Sequence, residues 1–317
     1  MRKYAIRRLL LLVPTTLLLS LLIFGLLRVV PGDAALLLLG DEGTKANPEA
    51  LQILRHNMGL DRPLPVQYVS WLWDMVRGNF GTALVSRESI RDQILQRLPI
   101  TLQVAVMAQL MGLLIGVPVG VLSAIRQRTW LDYALRVFTI FFLAAPSFWL
   151  GLLVILVGAL WFNYSPPIGY NLIWERPVDN LLQLMWPSMI LASHGLATTA
   201  RMTRSTMLEV MGEDYIRTAR AKGLRESMVV IRHALKNALI PVVTLSGLSF
   251  AGLLGGTVIL EQIFGIPGIG YWLVQSIRAQ DYTVVQSLVV VLAVIFMLVN
   301  LAVDLFYGWL DPRISYT

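Results

Sequence analysis

The 317-residue sequence is 56% hydrophobic and only 14% charged, with a mean hydropathy of +0.67, so lipid rather than water is its principal solvent. The net charge of +7 does not mark a nucleic-acid binder, because Lys and Arg lie at the edges of apolar runs instead of forming a basic stripe interleaved with exposed aromatics. Cysteine is absent, which excludes disulfides, thiolate metal sites and a cysteine nucleophile.

The chain opens with Arg2, Lys3, Arg7 and Arg8 ahead of an uncharged run over 9–27. That run exceeds the roughly 7 to 15 residues of a signal-peptide core. It also ends at Arg28 and the turn Pro31-Gly32-Asp33 rather than at a small-residue cleavage site. A retained first membrane helix is therefore expected, with Arg7 and Arg8 as cytoplasmic anchors rather than a twin-arginine signal.

A helix crossing a bilayer needs about 20 predominantly apolar residues. Further runs of that kind cover 98–125, 137–162, 181–200, 238–260 and 284–303, making six with the first. Pro14, Pro118, Pro146 and Pro187 fall inside these runs, which argues against a soluble bundle but is tolerated where neighbouring helices satisfy the freed carbonyls.

Basic residues in short connections fix the orientation. One side receives the N-terminal cluster, then Arg126, Arg128 and Arg136, then Arg201 to Lys236 with its many Arg and Lys, and finally Arg313. The short connections on the other side hold only Arg176 and Arg278. Both termini are expected in the cytoplasm. The segment 48–97, with the patterns EALQILRHNMG and PVQYVSWLWDMVRG, reads as a small extracytoplasmic helical cap in which Trp71 and Trp73 either pack or meet a partner or the membrane interface. The expected organisation is a first helix and cap over 1–96, a core over 97–308 with a cytoplasmic loop at 201–236, and a tail over 309–317.

Within that loop, acids precede bases in EDYIRTARAKG, as the helix dipole favours, and Gly223 stands where glycine commonly ends a helix. Tyr215, Ala219 and Gly223 recur every fourth residue, giving a smooth stripe suited to a groove. A second helix is expected from about Ser227 into the fifth run at Pro241.

At these residues the sequence resembles the peptide and nickel permeases of ABC importers. The general importer motif falls on Arg217, Thr218, Ala219, Gly223, His233, Leu235 and Lys236, of which Ala219, Gly223 and Leu235 fit; DYIRTARAKGL followed by RHALKNALIP is closer to the peptide branch. The likeness extends to RKYAIRRLLLLVPT, RVVPGD, MGLDRPLPVQY, GNFGTAL, EQIFGIPGIG and NLAVDLFYGWLDPRI. It implies an all-α polytopic type I importer permease with six transmembrane helices, the first of two paired permease subunits in the bacterial inner membrane. The implied partners are a second homologous permease, two cytoplasmic ATPase subunits and an extracytoplasmic substrate-binding protein. Coupling to the ATPase falls on Tyr215, Ala219, Gly223 and Leu224. Peptides lead as cargo, although relatives also carry glutathione, nickel chelates, opines or sugars.

No phosphate-cradling G-x-x-x-x-G-K-[ST] motif occurs, so ATP and Mg²⁺ are expected on the partner ATPases, with no cofactor on this chain. In EQIFGIPGIG, Glu261 begins an external connection, Pro267, Gly268 and Gly270 set a bend and Phe264 closes it; an external gate and a tight membrane turn are equal readings. His56, His194 and His233 lack metal-ligand spacing. His194, within the fourth run, reads as a structural hydrogen-bonding group more than as a solute contact. An intramembrane protease would need a serine with an activating histidine on another helix, which Ser193-His194-Gly195 does not supply. An ion channel would need a charged ring or filter sequence, which the spans lack.

Overall fold

The computed structural model describes residues 2–29, 52, 56, 61–167 and 169–310. Among these residues the regular elements are helices, joined by turns and irregular stretches, with one antiparallel bridge between Thr82 and Ser89. Contacts divide the chain into unit 1, formed by Met1–Ile100 with Pro267–Thr317, and unit 2, formed by Thr101–Ile266. The Pro31-Gly32-Asp33 turn, most of EALQILRHNMG and the terminal DPRI lie outside the described residues.

In unit 1 the first apolar run forms α1 (Arg2–Val29), which packs along α10 (Tyr282–Leu310). The cap pattern after Pro63 forms α2 (Leu64–Val76). Phe24 of α1 meets Tyr68 edge-on at 5.4 Å and Trp71 at 6.1 Å, and the Ser20 and Tyr68 hydroxyls are 2.8 Å apart. Trp71 is thus a packing residue, whereas Trp73 is exposed beneath the Arg77 guanidinium at 4.5 Å. The turn after α2 is tied to α10 by Asp281, whose carboxylate accepts from the amides of Leu84 (2.7 Å), Val85 (3.3 Å) and Val284 (3.2 Å). Ala83, Ile90, Ile94, Ile269, Val284 and Leu288 close the core beneath it.

The second run forms α3 (Ile90–Ile125). It begins eight residues before the apolar run does, so the last stretch assigned to the cap is continuous helix. The third run is not one helix. It forms α4 (Trp130–Ala144) and α5 (Ser147–Phe162), bent by 105°. Pro146 drives its predecessor out of the helical region, and Ala145 is extended at φ −74, ψ 126. Pro14, Pro187 and Pro241, by contrast, stay inside their helices.

Residues 177–210 form α6 (Pro177–Val210), and the basic loop adds α7 (Asp214–Ala221). The chain then enters α8 (Glu226–Phe264), which passes through a π-helical stretch at Val229–Leu235. A short helix, α9 (Ile269–Arg278), precedes α10. By length and composition α1, α3, α8 and α10 can each cross a membrane, and the bent α4–α5 pair is either a broken fifth span or a re-entrant loop. The fourth run of the sequence lies in α6, which is helical throughout but too rich in polar groups to pass the same test. Its buried positions include Asn180, Gln183, Ser188, Ser193, Thr199, Thr203 and Thr206.

Unit 2 is organised around α6. Helix α8 packs along it, and α4 and α5 add further contacts. On α3, Gly116 and Gly120 allow an unusually close approach: a Cβ on Gly120 would stand 2.5 Å from the Ala200 carbonyl oxygen, and one on Gly116 2.9 Å from that of Leu196. Small residues spaced by four are a common solution for helices in lipid, where close backbone packing replaces a hydrophobic driving force. At the other end of α6, buried Asn180 donates to the Asn171 carbonyl (2.7 Å) and the Tyr170 hydroxyl (2.9 Å) and pairs with Gln103, closing a partly buried polar network.

Candidate functional site

The basic loop is held by its own core. Helix α6 carries the chain past the apolar run to Val210, and a turn leads into α7, with Asp214 in its first turn and Arg220 in its last, as the macrodipole favours. The amide of Gly223 donates to the Arg220 carbonyl (2.9 Å) and that of Leu224 to Ala219 (3.4 Å). Gly223 adopts φ +76, the left-handed conformation that glycine enters at little cost. Arg225 then leads into α8, and Arg220 crosses the corner to Glu226 at 2.7 and 3.1 Å.

The expected Tyr215, Ala219 and Gly223 stripe is not a single exposed surface. Ala219 is only 6% exposed and joins Ile216, Met207, Val229, Val230 and Ala234 in a packed cluster, with Leu224 half-buried against it. Helix α7 is short and amphipathic, so the burial of Ile216 carries Ala219, three residues and just under one turn away, to the same inner face. Tyr215 remains 42% exposed and accepts a hydrogen bond from Asn237 (2.8 Å), while Thr218, Lys222 and Gly223 face outward.

A second feature of this end of unit 2 was not singled out from the sequence. Asp132, 1% exposed at the start of α4, accepts from Arg204 of α6 through Nε and Nη2 at 2.9 Å each. It also accepts from Ser123 Oγ at the end of α3 (2.5 Å) and from the Arg128 amide (3.1 Å). One carboxylate thereby joins three helices and the turn between two of them. Arg204 read simply as a retained basic charge; Asp132, the lone acid of α4, was the signal for its partner.

The proposed gate residues are covered rather than presented. Glu261 lies inside α8, fully buried, and accepts from Thr101 (2.7 Å), so it does not begin an external connection. Phe264 is also buried. The left-handed residue that ends α8 is Gly265, at φ +64, whereas Gly268 is extended at φ −80, ψ −176, a conformation open to any residue. Within unit 1, Gly268 and Gly270 are buried and Pro267 half-buried, and the Pro267 carbonyl accepts from Arg97 (3.5 Å). The histidines lie apart: His56 pairs with Asp61 (2.6 Å), His233 is in the π-helical stretch, and His194 is exposed beside buried Ser193 on the same helix. Adjacent helical positions diverge by about 100°, so Ser193 and His194 form no serine-base pair.

Unit 2 also contains a groove of ≈220 Å³ between α3, α6 and α8. Its polar lining is Gln109, Thr198, Thr199, Ser246 and Ser249, and its remaining walls are small or apolar.

An all-α, multi-pass bundle with a helix-and-corner loop between two core helices defines a transporter membrane subunit. The chain belongs to the family described as binding-protein-dependent transport system inner membrane component, which it matches over residues 116–316, with the N-terminal component of the same family over residues 1–105. It is 37% identical over 336 residues to the dipeptide transport system permease protein DppB of Alkalihalophilus pseudofirmus, covering 100% of both chains. It is 36% identical over 339 residues to DppB of Escherichia coli K12, covering 100% of this chain and 99% of that one. Among solved structures, the inward-facing MetNI methionine ABC transporter aligns at TM-score 0.55 and 21% identity, over 69% of this chain and 96% of its own. An amino acid ABC transporter solved with histidines aligns at TM-score 0.52 and 16% identity, over 70% and 94%. The fold is that of a type I importer permease. The protein is therefore a multi-pass inner-membrane permease subunit of an ABC importer, a system in which ATP hydrolysis belongs to separate subunits and a binding protein delivers the solute.

Proposed function

We propose that this chain is one of two homologous permease subunits that together enclose the pathway of a bacterial peptide importer. The observation that carries this reading is similarity over the whole chain to two dipeptide transport system permeases. The second permease is a different chain of the same fold, and two ATPase subunits below the membrane bind ATP and Mg²⁺, with no cofactor on this chain. The excess of Lys and Arg in alternate connections supports an arrangement with both termini and the basic loop in the cytoplasm and α2 outside.

In this arrangement the outward face of α7, bearing Tyr215, Thr218, Lys222 and Gly223, docks on an ATPase subunit. Ala219 and Leu224 serve from beneath, by fixing the helix on the loop's own core. Co-purification tests the reading. A tag on this chain is expected to retrieve a second permease and two ATPase chains, and reporters fused at Gln127 and Glu226 are expected inside, with one at Asn171 outside. A chain that purifies as a stable single species in membranes expressing all subunits, or a Glu226 reporter exposed outside, contradicts it.

A further inference from the structure

The groove between α3, α6 and α8 offers hydrogen bonds without fixed charge. None of its lining side chains is ionisable. Thr198 donates its hydroxyl proton to the carbonyls of His194 (3.1 Å) and Gly195 (3.0 Å), and Ser249 donates to that of Leu245 (3.0 Å). The Thr199 and Ser246 hydroxyls are 3.4 Å apart and engage each other. A hydroxyl whose proton is used by its own helix presents only lone pairs to a visitor. The wall therefore offers several acceptors, with the Gln109 amide supplying both donor and acceptor. At ≈220 Å³ the groove is smaller than the ~300 Å³ at which ligand-holding pockets begin. Gly195 leaves one wall bare: a Cβ added there meets nothing within 4 Å.

Building on the reading of the chain as a peptide permease subunit, we propose that this groove is its contact site for the peptide main chain. The hydroxyl oxygens of Thr198 and Ser249 accept from the backbone N–H groups of an extended peptide, and Gln109 serves a carbonyl. Without an ionisable side chain, the wall does not discriminate among cargo side chains by charge. A shallow site that bonds without ion pairs also releases what it binds, which passage through a pathway requires.

The chain has no cysteine, so a single introduced thiol reports on one position. Thr198→Cys and Ser249→Cys, in the assembled transporter in proteoliposomes, are expected to react with a small hydrophilic thiol reagent, read by mass spectrometry on this chain. Saturating Ala-Ala under turnover is expected to slow the reaction severalfold. Gly195→Phe, whose Cβ would meet nothing within 4 Å, puts a ring into the groove and is expected to lower dialanine uptake at least tenfold while complex yield stays normal. Ser249→Asp is expected to shift the uptake ratio of Lys-containing over Glu-containing dipeptides about threefold or more in favour of the cationic cargo, because one charge acts through a partly wet medium. Full uptake by Gly195→Phe, or thiols that do not react in a complex that transports, overturns the site. A wild-type complex that carries no peptide at all overturns the functional reading instead.

Discussion

At the scale of single residues, burial rather than spacing decides which parts of the basic loop can meet another protein. The every-fourth-residue rhythm of Tyr215, Ala219 and Gly223 is visible in the sequence, as is the left-handed corner at Gly223. What the rhythm does not reveal is which face of α7 points inward, because Ile216 competes for the same core and carries Ala219 with it. Ala219→Asp is accordingly expected to unfold the loop, since a carboxylate forced among Met207, Val229 and Ala234 costs several kcal/mol, of the order of 2–7 for a buried polar group without a partner. Tyr215→Ala is expected to leave the purified permease unchanged in thermal stability but to weaken ATPase retention on an affinity column. If Ala219→Asp leaves stability unchanged, the inward assignment fails.

Asp132 is the other residue whose role depends on tertiary structure. The sequence supplies an acid near three basic residues, but only folding brings Arg204, 72 positions away, against both its oxygens. Removing one partner of a buried pair typically costs about 3–5 kcal/mol, and Arg204 retains some solvent, so about 3 kcal/mol is expected for Asp132→Asn, read as a lowered unfolding midpoint of the detergent-solubilised complex. Arg204→Lys keeps the charge but not the two-pronged geometry and is expected to fall between the variant and the wild type. Equal midpoints for all three proteins would show that the clasp contributes nothing.

At the scale of elements, hydropathy located every long helix, but not their ends or their continuity. The run that includes Pro146 is as apolar as its neighbours, yet it bends by 105°, while Pro14, Pro187 and Pro241 remain within helices. Whether a proline is absorbed depends on neighbours that satisfy the freed carbonyls, and that is tertiary information. Helix α6 presents the opposite case. Its polar residues weaken its apolar signal because they are covered by protein rather than lipid, as with the Asn180 network. The glycines of α3 are legible as small residues, but not their purpose. Gly120→Val is expected to force α3 and α6 apart, since its Cβ would lie 2.5 Å from a backbone oxygen that cannot rotate away. The measurement is the yield of folded complex, expected to fall well below that of the matched Gly25→Val variant, where an added Cβ has no neighbour within 4 Å. Equal yields would mean that the close approach is not required.

At the scale of the whole molecule, the family and the membrane setting were legible because the motifs that carry them are local: the helix and glycine of the basic loop, and the apolar runs. The burial of the residues read as an external gate, Glu261 and Phe264 among them, was not legible, because it rests on tertiary contacts such as that of Thr101 with Glu261. The most direct measurement is labelled dipeptide uptake into proteoliposomes containing both permeases, the ATPase subunits and the binding protein. Uptake is expected to require ATP, the binding protein and this chain together, with no ATP hydrolysis by this chain alone. Undiminished dipeptide uptake by vesicles assembled without this chain would contradict the assignment.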